Sequence, residues 1–155
     1  MRLKITLGIL LAIVLLIQLV PVTRTNPPAQ GEIAVPDAVR EILTRSCYDC
    51  HSHETRWPWY AYVAPVSWLV VNDVTEGREH LNFSTWQQYD DERREEKLED
   101  IWEEVDEGNM PLGIYLPLHG EARLSEQDKT ALHEWTSAAI NVLRTRRAST
   151  QGETP

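Results

Sequence analysis

Cys47-Tyr48-Asp49-Cys50-His51 constrains this chain more than any other stretch, because it spends both cysteines of the sequence on the spacing C-x-x-C-H. Two thiols three apart in a helical turn can each add to one vinyl group along one side of a porphyrin, while the histidine that follows reaches under the ring to the iron. A fold organised by this motif has to enclose a large apolar disc, which itself supplies core surface. On spacing alone, Tyr48 and Asp49 are spacers. The same thiols would also serve a redox dithiol, a half-site for zinc or an ordinary disulfide. A tetrahedral zinc site needs four ligands, so Cys47, Cys50 and His51 would have to recruit His53 or a distant histidine, and no second C-x-x-C is present. No βαβ pattern supports a thioredoxin-like dithiol. Haem is therefore the favoured reading.

The segment from Ile5 to Val22 is nearly unbroken hydrocarbon behind Arg2 and Lys4, which marks residues 1–22 as a signal anchor or an export signal. It reaches the lower edge of a spanning helix, about 17 to 25 residues, and exceeds the usual signal-peptide core of about 7 to 15. No A-x-A-like site follows it, which favours an uncleaved anchor. The charge before it predicts a single-pass protein of the bacterial inner membrane, with the remainder on the exported, periplasmic side. All 24 acidic residues lie after this segment, and the whole chain has a formal charge of -9 at pH 7. Nucleic acid is thus an improbable partner, and a protein with a basic docking patch suits the surface better.

Residues 23–35 contain Pro27 and Pro28 and no apolar periodicity, and read as a linker between membrane and domain. The domain itself spans 36–147, one modest core. Its first helix starts at Pro36 and places Ala38, Val39, Ile42 and Leu43 on one face. The aromatic loop Trp57-Pro58-Trp59-Tyr60 precedes a helix from Val66 to about Glu76 that Gly77 would terminate. Ser84 reads as the N-cap of a turn carrying Trp86. An acidic helix over 90–107 buries Leu98, Ile101, Trp102 and Val105, supported by an Asp90 to Arg94 pair. A last helix, capped by Ser125 and running to Arg147, buries Ala131, Leu132, Trp135, Ala139, Val142 and Leu143. Residues 148–155 read as a disordered tail. No period-2 pattern competes, so the expected fold is all-α.

What fills the sixth position of a histidine-held iron separates electron transfer from ligand chemistry. Met110 is the only methionine besides the initiator and sits in a Met-Pro pair past a helix stop at Gly108. It is the leading candidate, with His119 next and His53, His80 and His133 behind. Trp57, Trp59 and Trp68 are candidates to wall the porphyrin against water. For the second ring N–H of His51, a backbone carbonyl near Ala64 or Pro65 is the expected acceptor. No distal His and Arg pair stands at a recognisable spacing, although Arg56, Arg78 and His80 remain open as pocket residues.

The order of a helix, C-x-x-C-H, a long middle, Asn109-Met110-Pro111 and a closing amphipathic helix resembles the class I cytochrome c plan. More closely, the stretch from Thr55 to Trp86, with the haem motif and Asn109 to Pro111, resembles the bacterial haem-binding domain proteins, small exported c-type haem modules. The resemblance extends over residues 36–143. It implies thioether attachment of one haem c at Cys47 and Cys50, with iron ligation by His51 and Met110. The expected role is mono-haem electron transfer to a redox protein rather than catalysis. The rival is a haem enzyme or a gas or redox sensor with an exchangeable sixth ligand.

Overall fold

The structure is a computed structural model describing residues 2–152, and among these every regular element is helical. The first, α1, covers Arg2–Ile17 and is 16 residues long. At 1.5 Å per residue it measures roughly 24 Å, short of the ~30 Å hydrocarbon core of a bilayer. No helix among the described residues is long and apolar enough to cross a membrane, which overturns the single-pass inner-membrane placement. The chain leaves α1 through successive tight turns, Gln18 N–H to Leu15 O, Leu19 N–H to Leu16 O and Val20 N–H to Ile17 O, just before Pro21.

Residues 23–35 run as a strap that touches the domain at several points. Gln30 N–H donates to Ser84 O at 2.8 Å and Ile33 N–H to Phe83 O at 3.0 Å, and Ile33 enters the core at 4 % exposure. Arg24 donates to Ala61 O and Asn26 to Thr55 O, which ties two side chains of the otherwise largely exposed proline-rich stretch to the domain.

Helix α2 (Asp37–Ser46) buries Val39, Ile42 and Leu43 and leads straight into α3 (Tyr48–His51), the turn that carries the motif. Helix α4 (Val66–His80) packs on α3. It runs through Gly77 instead of stopping there, because Gly77 keeps helical bonding and its carbonyl accepts Leu81 N–H at 2.9 Å. Asn82, not Ser84, caps the following 3₁₀ turn Phe83–Gln88, while Ser84 is buried and accepts from His53 N–H.

Helix α5 (Asp91–Asp106) is capped by Asp90, whose side chain accepts from Arg93 N–H. It buries Leu98, Ile101 and Val105 at i, i+3 and i+7, with Trp102 partly buried beside them. Arg94 pairs with Asp91 at 3.1 Å rather than with Asp90, which is occupied as the cap. Helix α6 (Glu126–Gly152) begins with a reciprocal Ser125–Asp128 box and extends five residues beyond Arg147, into the segment expected to be disordered. Its residues Leu132 and Leu143 are core, whereas Val142 is 58 % exposed. Arg144 bridges Glu95 and Glu99 at 2.6 and 2.8 Å, and Arg147 also reaches Glu95, so part of the acidic α5 face is a seam with α6. Solvent-screened pairs of this kind add little, and the joint is held chiefly by its apolar stripe.

If the strap belongs to the core, Ile33→Ala lowers the unfolding free energy by about 2–4 kcal/mol. Urea denaturation followed by tryptophan fluorescence measures this, and a wild-type midpoint would return the strap to the status of a tether.

Candidate functional site

The motif turn lies at one wall of a cavity of about 510 Å³, within the roughly 300–1,000 Å³ typical of ligand pockets. Cys47, Cys50 and His51 come from this turn, Gly77 and His80 from α4, Ile101 and Val105 from α5, and Met110, Leu112 and Tyr115 from the loop beyond. Thus residues 59 positions apart in sequence, His51 and Met110, line one cavity. Phe83, the only phenylalanine, forms the floor: it is 1 % exposed, stacks on Tyr48 at 5.2 Å and meets the His51 ring edge-on at 6.4 Å.

The acceptor for His51 is not near Ala64 or Pro65. Both backbone groups of Ala64 are taken by Gln18, its N–H donating at 2.9 Å and its carbonyl accepting at 3.1 Å. Nδ1 of His51 instead faces the carbonyls of Gly77 at 2.8 Å and Leu81 at 3.2 Å. Two carbonyl acceptors require the proton on Nδ1, so in the neutral ring Nε2 is the one with the free lone pair. Burial further favours the neutral ring by holding its pKa below the ordinary value, outweighing the opposing effect of the two carbonyls.

This contact depends on Gly77 lacking a side chain. A Cβ at that position would stand 2.8 Å from the Cys50 carbonyl oxygen and 3.2 Å from Cys50 Cβ. The glycine lets the backbone of α4 lie directly on the motif turn, which aims the Gly77 carbonyl at His51. Burial pushes the Cys47 thiol up to about 12 and the Cys50 thiol up to about 11, the latter helped by Asp49 and Asp73, so both are protonated at neutral pH.

The two residues between the cysteines are more than spacers. Tyr48 is 3 % exposed and donates to Glu32 of the strap at 3.0 Å. Asp49 accepts from Tyr115 Oη at 2.8 Å and from Arg56 at three atoms, the backbone N at 2.9 Å, Nε at 3.2 Å and Nη2 at 3.0 Å. Their side-chain types carried no periodic signal, so the sequence showed no role for either beyond spacing, none for Phe83 or Tyr115, and for Gly77 only that of a helix stop.

The tryptophans expected to wall the porphyrin do not line the cavity. Trp59 is 76 % exposed on the 3₁₀ turn Trp59–Tyr62, which packs against the other side of α4. Trp68 is 36 % exposed, because at 3.6 residues per turn it falls away from the cavity-facing set Asp73, Glu76, Gly77 and His80. Trp57 is half-buried outside the lining. Of the alternative histidines only His80 lines the cavity. His53 bonds Asn82, His119 bonds Tyr60, and His133 stacks on Trp102 at 4.3 Å. Neither Arg56 nor Arg78 reaches the cavity: Arg78 is spent on Ser52 O, Thr25 O, the Asn26 side chain and Thr55 Oγ1.

A paired thiol set, a neutral imidazole with a free Nε2 and a thioether around one largely apolar cavity are donors that fit a haem. A family model described as haem-binding domain matches residues 12–138, and the chain belongs to that family. Comparisons with curated proteins and with solved structures gave no match.

Replacing a helix-interior glycine by alanine ordinarily stabilises by about 0.5–1 kcal/mol. For Gly77→Ala the opposite sign is expected, a loss of about 1–3 kcal/mol, since the new methyl must displace backbone of the motif turn. Thermal unfolding of the haem-free variant reads the sign directly.

Proposed function

We propose that this haem-binding protein carries one covalently attached haem c and moves single electrons to and from a partner protein. The observation that carries the reading is the convergence of Cys47, Cys50, His51 and Met110 on one cavity. Cys47 and Cys50 would hold the porphyrin by thioether bonds, each S–H adding across a vinyl double bond so that no oxidant is consumed. His51 would give Nε2 to the iron, its ring fixed and made more basic by the Gly77 and Leu81 carbonyls. Met110 would supply the sixth ligand. A haem so held supplies a one-electron couple, and a His/Met pair sets its potential higher than more basic ligand pairs do. Phe83, Ile101, Val105 and Leu112 exclude water from the site. The helical order, with the motif turn directly after a helix packed on the closing helix, supports a class I cytochrome c-like plan.

Asp73, Glu76, Asp100 and Glu104 line the cavity, Glu76 and Glu104 being solvent-exposed and Asp100 paired with Lys97, with no lysine or arginine among the lining residues. This negative lining favours a redox partner with a basic patch and speeds the encounter at low ionic strength. Electron transfer is preferred to peroxidase-like catalysis because Arg56 and Arg78 are both committed outside the cavity.

Protein matured with the haem-attachment machinery should gain the mass of one haem and give the α band of a thioether-linked haem in a pyridine haemochrome assay. Cys47→Ser with Cys50→Ser should lose covalent attachment, and a wild type that retains no haem after denaturation ends the c-type assignment. Met110→Ala should lose the weak near-infrared band of methionine on ferric iron and fall in potential. In the wild type, carbon monoxide should bind the reduced protein slowly at neutral pH; rapid binding would favour a ligand-exchanging sensor or enzyme.

A further inference from the structure

Resting on the haem reading above, we infer that Tyr115 is a positioning residue that latches the Met110 loop to Asp49, inside the haem motif, and thereby limits access of small neutral ligands to the sixth position of the iron. The loop after α5 has little else to hold it. From Asp106 to Glu121 no side chain is fully buried: Met110, Leu112, Tyr115 and Leu116 are half-buried, and Ile114 and Leu118 are 69 % and 66 % exposed. Partial hydrophobic burial holds this loop less firmly than the core helices, so its polar contacts carry more of its placement over the cavity.

These contacts fall at the stem, the far end and the middle of the loop. At the stem, Met110 N–H donates to Glu104 O at 3.0 Å, and at the far end Arg45 donates to Glu121 O at 3.2 Å. Between them, Tyr115 Oη donates to Asp49 Oδ2 at 2.8 Å, a charge-assisted bond to a carboxylate that Arg56 already holds by both oxygens. The Tyr115 ring stacks on His119 at 3.9 Å and 6°, and Nε2 of His119 is hydrogen-bonded to the Tyr60 hydroxyl. Burial, with Asp49 beside it, keeps the Tyr115 hydroxyl protonated and so always a donor. Because Asp49 sits between Cys47 and Cys50, the loop is tied to the attachment turn itself. Tyr115 also lines the cavity, so its release opens the wall on the Met110 side.

The test compares wild type, Tyr115→Phe and the exposed-loop control Leu118→Ala. With the ferric haem-loaded protein, optical titration with imidazole should give an affinity about tenfold or more higher for Tyr115→Phe, as expected for losing a hydrogen bond to a charged group, and unchanged for the control. In the haem-free chain, amide exchange at Tyr115, Leu118 and His119, whose N–H groups bond within the loop, should accelerate in Tyr115→Phe. Asp49→Asn, which touches the attachment turn, is read by exchange alone and should match Tyr115→Phe. Wild-type imidazole affinity together with wild-type exchange in Tyr115→Phe overturns the latch while leaving the haem reading intact. A wild type without the methionine band overturns the sixth-ligand reading instead, and the exchange result then decides the latch by itself.

Discussion

The site depends on one close approach, the backbone of α4 at Gly77 resting on the carbonyl of Cys50. With no Cβ in the way, helix and motif turn share a face of backbone, and the Gly77 carbonyl serves both Leu81 in its own helix and His51 across the gap. Carbonyl oxygens carry two lone pairs, so neither bond is made at the expense of the other. The next residue extends the grip in another direction. Arg78 reaches Ser52, Thr55, Thr25 and Asn26, so a single turn of α4 fixes the motif, the loop after it and the strap.

What could be read from the sequence was the part governed by periodicity and spacing. The stripe Leu98, Ile101 and Val105 gave α5, Ser125 marked the start of α6, and C-x-x-C-H with Met-Pro named residues that line one cavity. What could not be read was governed by approach between distant segments. A glycine inside a helix looks like a stop until the neighbouring backbone is known, and Gly77 was read that way. Aromatic residues next to the motif in sequence, Trp57 and Trp59, looked like porphyrin walls, yet the cavity is closed by Phe83 and Tyr115 from elsewhere. The hydrocarbon of the first 22 residues suggested a span that the 16-residue α1 does not provide.

The cavity has two kinds of wall. Phe83, Ile101 and Val105 belong to the buried core, each exposed by 8 % or less, and cannot move without disturbing helix packing. The facing loop contributes Met110, Leu112 and Tyr115 without fully burying any of them. A site with one rigid and one polar-tethered wall can admit a bulky cofactor by breaking a few hydrogen bonds, a local opening far smaller than global unfolding.

The strap gives the domain a different edge from the one suggested by the first helix of the core. Its backbone completes hydrogen bonds for the carbonyls of Ser84 and Phe83, and its Glu32 accepts from Tyr48, the first spacer of the motif. Cutting the chain just before Asp37 would leave these groups without partners and uncover the Ile33 site beside Phe83. The folded domain therefore takes in the strap at least from Gln30, and Arg24 adds a further contact, its guanidinium resting on the Tyr62 ring at 4.4 Å and bonding the Ala61 carbonyl. The minimal haem-carrying piece of this chain is thus longer at its amino end than the helices alone would suggest.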